Sequence, residues 1–244
     1  MEKTVFKIIS NKPLTKCIYE MCLEGNTSAI KNAGQFVNIA LDGFYLRRPI
    51  SVCDFSDNFL KIIYKVVGKG TEQMAKMQSG EQLEMLTGLG NGFSVNNCQK
   101  PLLVGGGVGV PPMYRLAKDL VAQGKQVSVV LGFNTCEEIF YKNEFEALGV
   151  NVYVATADGS VGTKGFVTDA ITANKIEADY FYSCGPLPML RALYDKLDID
   201  GEMSFEERMG CGFGVCMGCS CKTKNGYKRI CKEGPVLKKD EIVW

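Results

Sequence analysis

The sequence predicts three parts in order: a closed antiparallel barrel of six short strands, a Rossmann-like parallel-sheet α/β domain, and a small cysteine-rich lobe. Three observations predict this. The first 98 residues alternate apolar and polar positions in short runs broken by Gly, Asn and Asp. The next hundred or so alternate strand-like and helix-like segments. The last forty or so hold cysteines and glycines at close spacing. At 244 residues the chain is long enough for about two domains and a lobe. The expected boundaries are 1–98, 99–200 and 201–244.

In the first part, Val5–Ser10, Cys17–Leu23, Gln35–Leu41, Ile50–Asp54, Leu60–Val67 and Gln82–Leu86 read as strands. Six short strands with one helix suit a small closed barrel. The helix is expected over Thr71–Met77, with Thr71 as its N-cap. Two stretches stand out. Arg47-Arg48-Pro49-Ile50-Ser51 places paired arginines at a strand start, which suits a phosphate or a flavin edge, and is also what an ordinary basic strand end looks like. Gly68-Lys69-Gly70-Thr71 turns a strand into a helix, leaving free N–H groups and a positive helix end for a pyrophosphate; a plain glycine turn reads the same way. Gly88–Phe93 is expected to be a flexible connection.

In the second part, strands are expected at Pro101–Val104, Val127–Leu131, Val152–Thr156 and Tyr180–Ser183. Helices are expected at Met113–Gln123, Glu138–Leu148, Val167–Asn174 and Leu187–Lys196. Ligands of parallel sheets sit beyond the strand C-termini. Two loops lie there: Gly105-Gly106-Gly107-Val108-Gly109-Val110-Pro111-Pro112 and Cys184-Gly185-Pro186. The first is a dinucleotide-type turn, although proline stands where a strict G-x-G-x-x-G has its last glycine. Pro111 or Pro112 fits the first turn of the helix.

In the lobe, Cys211, Cys216 and Cys219 are spaced C-x4-C-x2-C, with Cys231 downstream and Gly210, Gly212, Gly214 and Gly218 among them. This is the plant-type [2Fe–2S] spacing, whose fourth ligand comes from further along the chain. Glycine lets backbone N–H groups close around a negatively charged cluster. Structural zinc uses two short C-x2–4-C pairs on separate knuckles, which crowding of three ligands on one loop does not match. For the fourth ligand, Cys231 follows a hairpin expected over Lys222–Ile230 with its turn at Asn225-Gly226. Cys221 is the alternative, read as a packing thiol.

Composition removes several classes. The chain is 46% hydrophobic and 23% charged, with a net charge of +1, so neither nucleic acid nor a membrane surface is an expected partner. No apolar run approaches a membrane span. With no histidine, the chain has no His-based acid–base or nucleophilic catalysis and no Rieske cluster. Eleven cysteines without an export-type opening segment point to a reducing cytoplasm.

Taken together, Arg48-Pro49-Ile50-Ser51, Gly70-Thr71, the triple-glycine loop and Cys184-Gly185-Pro186 resemble the ferredoxin–NADP⁺ reductase superfamily. Ile50 replaces the aromatic residue of its R-x-[YF]-[ST] flavin motif. With the cysteine block and its trailing Cys231-Lys-Glu-Gly-Pro-Val236, the whole chain is similar to the electron-transfer subunits of dihydroorotate dehydrogenase B. The resemblance implies that Arg48, Pro49, Ile50 and Ser51 contact FAD, that Ile63, Tyr64 and Lys65 line it, and that Gly70 and Thr71 hold its pyrophosphate. It implies that Gly106, Gly107, Gly109, Pro111, Cys184, Gly185 and Pro186 accept NAD(H). It also implies that Cys211, Cys216, Cys219 and Cys231 ligate the [2Fe–2S] cluster.

The implied partner is an FMN-containing catalytic subunit that oxidises dihydroorotate in pyrimidine synthesis, in a heterotetramer of two copies of each chain. The chemistry agrees: NADH gives up an electron pair, the cluster takes single electrons, and a flavin placed between them handles both. No motif supplies a separate acid–base substrate site, so no catalytic residue is assigned and the second redox partner is expected on another chain. Related flavin and iron–sulfur subunits of hydrogenases, sulfite reductases and ferredoxin-linked transhydrogenases share this logic.

Overall fold

The computed structural model describes residues 1–95 and 98–244. Residues 96 and 97, at the end of the first expected domain, lie outside the described residues. Strands β1 (Glu2–Pro13), β2 (Ile18–Glu24), β3 (Phe36–Ile39), β4 (Arg48–Ser56), β5 (Phe59–Lys65) and β6 (Gln82–Leu89) close into an antiparallel barrel in the order β1-β2-β5-β4-β3-β6. The period-two pattern sets its interior. Phe6, Ile8, Met21, Leu23, Val37, Ile39, Leu60, Ile62, Leu83 and Met85 are buried and form one core. Helix α1 (Lys69–Lys76) follows β5.

The second sheet has seven strands in the order β10-β9-β8-β7-β11-β12-β15. These are β7 (Pro101–Gly106), β8 (Ser128–Phe133), β9 (Asn151–Thr156), β10 (Thr163–Lys164), β11 (Tyr180–Cys184), β12 (Gly201–Ser204) and β15 (Val236–Lys238), the last running antiparallel to β12. Helices α2 (Val110–Ala122), α3 (Lys142–Glu146), α4 (Val167–Ala173) and α5 (Leu187–Lys196) cover it. Alternate strand residues serve opposite faces. Leu103, Val129 and Leu131 pack under α2, whose Val110, Met113, Leu116, Ala117 and Leu120 repeat at helical spacing. Leu102, Val104 and Val130 pack under α4 and α5. Strands β13 (Ser220–Thr223) and β14 (Gly226–Arg229) form a separate hairpin.

Several expectations change. The helix expected over 138–148 is a 3-10 turn, Cys136–Glu138, and the short α3, separated by Tyr141 in the left-handed region at φ 65°. Thr71 does not cap α1. Gly68 stands at the cap, while the Thr71 hydroxyl accepts the Val67 N–H (2.9 Å) and donates to the Gly68 carbonyl (3.0 Å). The hairpin pairs Thr223 with Gly226, so its turn is Lys224-Asn225, one residue earlier than expected. The connection after β6 is fastened rather than loose. The Asn91 amide donates to the carbonyls of Glu233 (3.1 Å) and Val236 (2.7 Å) and accepts the Val236 N–H (3.1 Å). Strands β12 and β15, from beyond residue 200, complete the second sheet.

Candidate functional site

Strands β7 and β11 are neighbours, so the loops that leave their C-terminal ends stand side by side. They touch: a side chain at Gly109 would collide with the Cys184 carbonyl, so only glycine lets the first loop close against the second. Pro111 lies in the first turn of α2 and is buried; it needs no N–H partner there. Gly106, Gly107, Gly109, Gly185 and Pro186 line a cavity of about 620 Å³, into which the barrel contributes Lys65. Cys184 sits behind this wall, its thiol pushed up to about 12 by burial, so it is a neutral packing group there. Glu138 also lines the cavity, with its carboxylate held by the Asn134 backbone N–H (3.0 Å) and side-chain amide (2.8 Å). At the start of α2 the Val110 N–H is bonded to the Gly107 carbonyl and Pro111 and Pro112 have none, so the glycine loop before the helix is what faces a ligand.

The barrel motif lies on the strand pair next to this cleft. Arg48, Pro49, Ile50 and Ser51 open β4, paired across to Ile39, Asn38, Val37 and Phe36. The Arg48 guanidinium stacks over Phe44 at 4.6 Å and lies against Gly70 at the start of α1, so the two expected flavin motifs converge. Of the β5 residues, Lys65 reaches the cavity and Ile63 is buried against the second domain. Tyr64 turns into the barrel, where its hydroxyl donates to Asn11 (2.9 Å).

The cysteine loop is organised as two pairs of thiols. The Cys211 Sγ accepts backbone N–H groups from Val215 (3.3 Å), Phe213 (3.5 Å) and Cys216 (3.5 Å). Partial burial opposes its ionisation, but these donors prevail and bring the thiol down to about 6. The second pair is buried: Cys219 Sγ stands 3.2 Å from Cys231 Sγ, and burial raises the Cys231 thiol to about 12. Among the described residues no group of three such side chains converges as a ready-made single-metal site. Two thiols at each of two points suit a diiron cluster better than one tetrahedral zinc. Cys221 lies on β13 opposite Lys228 and packs, half-buried, against the neighbouring core. Arg229 clamps the loop, donating to the Gly214 carbonyl (2.6 Å) and to the Glu233 carboxylate (2.9 Å).

Sequence reasoning did not single out Glu206, which lines the nucleotide cavity, or Asn38, whose amide donates to the Cys211 carbonyl (3.2 Å). Glu206 directly precedes the cysteine block, and that proximity was its only sequence signal. Asn38 is a lone polar residue in an apolar strand, a signal visible only once β3 is known to be covered on both faces.

Comparison with known proteins places this geometry. Residues 206–243 match the family model of the iron–sulfur cluster binding domain of dihydroorotate dehydrogenase B, and residues 103–195 match the oxidoreductase NAD-binding domain. The chain is 44% identical to the dihydroorotate dehydrogenase B (NAD(+)) electron transfer subunit of Geobacillus sp. (strain WCH70), over 100% of this chain and 99% of that one. It is also 44% identical to the corresponding subunit of Fusobacterium nucleatum, over 95% of each. Among solved structures, an NADH-dependent reduced ferredoxin–NADP oxidoreductase superposes with TM-score 0.89 at 28% identity, covering 98% of this chain and 90% of that one. A ferredoxin NADP⁺ reductase from Neisseria gonorrhoeae shares the fold, with TM-score 0.69 at 16% identity, over 80% of this chain and 90% of that one. With full-length identity at this level and the cysteine lobe matched as well, the chain belongs to the family of dihydroorotate dehydrogenase B electron transfer subunits.

Proposed function

We propose that this chain carries electrons between a dihydroorotate-oxidising partner subunit and NAD⁺, holding FAD and a [2Fe–2S] cluster along the way. The observation that carries this reading is adjacency. Strand pair β3–β4 bears the flavin motif and touches the cysteine loop, while β5 delivers Lys65 into the nucleotide cavity. FAD, when bound, supplies the exchange between paired electrons at nicotinamide and single electrons at iron.

The chain's own residues position and screen these groups. Arg48 and the start of α1, with Gly70 and Thr71, hold the flavin phosphates; Pro49, Ile50 and Ser51 face its ring, and Ile63–Lys65 contact it through their backbone. Gly106, Gly107, Gly109 and Pro111 with Cys184, Gly185 and Pro186 form the NAD site. Glu138, fixed by Asn134, stands after β8, where a carboxylate favours a ribose hydroxyl over a phosphate and so NAD over NADP. Cys211 and Cys216 hold one iron, and Cys219 and Cys231 the other. The functional division is 1–98 for flavin, 99–200 for nucleotide and 201–244 for the cluster.

The partner is read as an FMN-containing catalytic subunit, in an assembly of two copies of each chain. The chain is placed in the cytoplasm on its eleven disulfide-free cysteines; among the described residues no helix is long and apolar enough to cross a membrane. Co-purification with such a subunit, and NAD⁺ reduction driven by dihydroorotate only when both chains are present, is the expected result. Failure of the combined chains to reduce NAD⁺ contradicts it. The 0.89 TM-score match supports one alternative, a ferredoxin-linked role; reduced ferredoxin replacing dihydroorotate as donor would favour it.

A further inference from the structure

We propose that Asn38 is a positioning residue that fastens the cysteine loop to the barrel and sets where Cys211 stands relative to the flavin motif. The proposal rests on the functional reading above. Strand β3 is buried along its whole length. Val37 and Ile39 point into the barrel core, while Phe36 belongs to the opposite core, shared with Cys219, Ile230, Cys231 and Leu237. Asn38, at 1% exposure, lies on the Phe36 side of this alternation. An apolar residue would cover that face at lower cost, because a buried amide loses its water partners.

Three features show what the amide does. Its Nδ2 donates to the Cys211 carbonyl at 3.2 Å. A side chain at Gly212, which has φ +78°, would overlap that same nitrogen, so glycine is what lets the loop come so close. Its Oδ1 has no partner among the described residues, so the amide is held there by its donor alone. Beyond the pinned carbonyl, the loop turns its Phe213, Val215 and Cys216 N–H groups back onto the Cys211 sulfur. Fixing the Cys211–Gly212 peptide therefore fixes the first thiolate.

The other side of Asn38 is tied just as firmly. Its backbone pairs with Pro49, and its carbonyl accepts from Arg47 Nη1 (3.3 Å), itself paired with Glu84 (2.6 Å). One residue thus joins the strand pair of the flavin motif to the first cluster ligand. Electron transfer falls off steeply with separation, so this joint controls how well the two groups communicate.

The test uses the full chain purified anaerobically, with Asn38→Ala, the near-isosteric Asn38→Asp, Gly212→Ala, and the Asn38→Ala/Gly212→Ala pair. Both Asn38 variants should release iron to a chelator about tenfold faster than wild type and shift the EPR g-values of the reduced cluster, with FAD content unchanged. Asn38→Asp separates the roles, because it keeps the volume and loses the donor. Gly212→Ala should do the same, and the double variant should be no worse than the poorer single one, since the collision partner is gone. Release rates and EPR spectra equal to wild type, or an Asn38→Asp chain indistinguishable from wild type, overturn the proposal. FAD and cluster lost together also overturn it, as a general folding defect. A wild-type chain without labile sulfide overturns the functional reading itself, and the proposal with it.

Discussion

The barrel meets the rest of the chain along two apolar seams that differ in what flanks them, charged bonds on one and amide bonds on the other. Toward the nucleotide domain Ile18, Cys53 and Ile63 share a core with Val110, Met113 and Leu116, and charged groups bond across the seam beside it. Asp54 accepts from Lys118 (2.6 Å) and Arg115 (3.4 Å), Arg115 stacks on Phe55 at 4.0 Å, and the Tyr141 hydroxyl donates to Glu20 (2.6 Å), which also pairs with Lys61 (3.2 Å). Toward the cysteine lobe the seam is apolar: Phe36 and Leu89 share a core with Cys219, Ile230, Cys231 and Leu237, and the amides of Asn38 and Asn91 add bonds beside it. The difference teaches where each kind of contact is needed. Directional charged bonds fix the angle between two rigid bodies around an open cleft. Apolar packing keeps water from the buried thiols and strengthens the Cys231 N–H aimed at the Cys219 sulfur (3.4 Å).

If that contrast is right, changes on the cysteine-lobe seam should cost cofactor and changes to the charged bonds of the nucleotide-domain seam should cost stability. The largest effect is expected from Cys231→Ser, which should abolish the visible cluster spectrum while FAD stays bound; Cys221→Ser should leave both, and the reverse pattern would make Cys221 the fourth ligand. Next, Arg48→Ala should weaken FAD retention by about tenfold or more, as loss of a charge-assisted bond does, measured as flavin left after gel filtration; unchanged flavin content would remove Arg48 from the site. Asp54→Ala takes the carboxylate from Lys118 and leaves Arg115 with Asp119 and the Phe55 carbonyl, and should cost about 1–3 kcal/mol. Its melting temperature should fall by about 2–4 °C for each of those kcal/mol, with cluster content intact.

The smallest effect is a matter of pH. Hydrogen bonds from Arg229 hold the Glu233 carboxyl down to about 2. A carboxyl depressed on folding stabilises the fold above its ordinary range and loses that contribution as pH falls toward the depressed value. Wild type and Glu233→Gln should therefore differ in melting temperature at neutral pH, and the difference should shrink as the pH is lowered from the ordinary carboxylate range toward 2. A difference that persists unchanged through that window would show that the carboxylate charge is not what holds Gly214 in place.

Much of this was legible in the chain. Leu187–Lys196 is a helix over the expected residues, because Leu190 and Leu193 repeat at helical spacing and Pro186 marks its start. The glycine and cysteine loops were readable because their chemistry is local: turns without β-carbons, and thiols at fixed intervals. What was hidden is what depends on distant partners. Gly201–Ser204 and Val236–Lys238 are too short to show a period and become strands only by pairing with each other and with β11. Gly88–Phe93 looked loose because nothing in it announces that Asn91 bonds to residues more than 140 positions away. The helix expected over 138–148 is interrupted where Tyr141 leaves the helical region and turns its hydroxyl to Glu20 across the domain seam. Thr71 reads as a cap because hydroxyls favour caps; it stands three residues past the cap, and its hydroxyl reaches back to the Val67 N–H and the Gly68 carbonyl.

The most direct measurement is an anaerobic NADH titration of the purified chain, followed by absorption and EPR, with iron, labile sulfide and flavin counted on the same sample. Iron and sulfide in equal amounts beside bound FAD, with a reduced-cluster EPR signal growing as NADH is added, is the predicted result. A chain without labile sulfide, or one whose flavin bleaches with NADH while no cluster signal appears, contradicts the account.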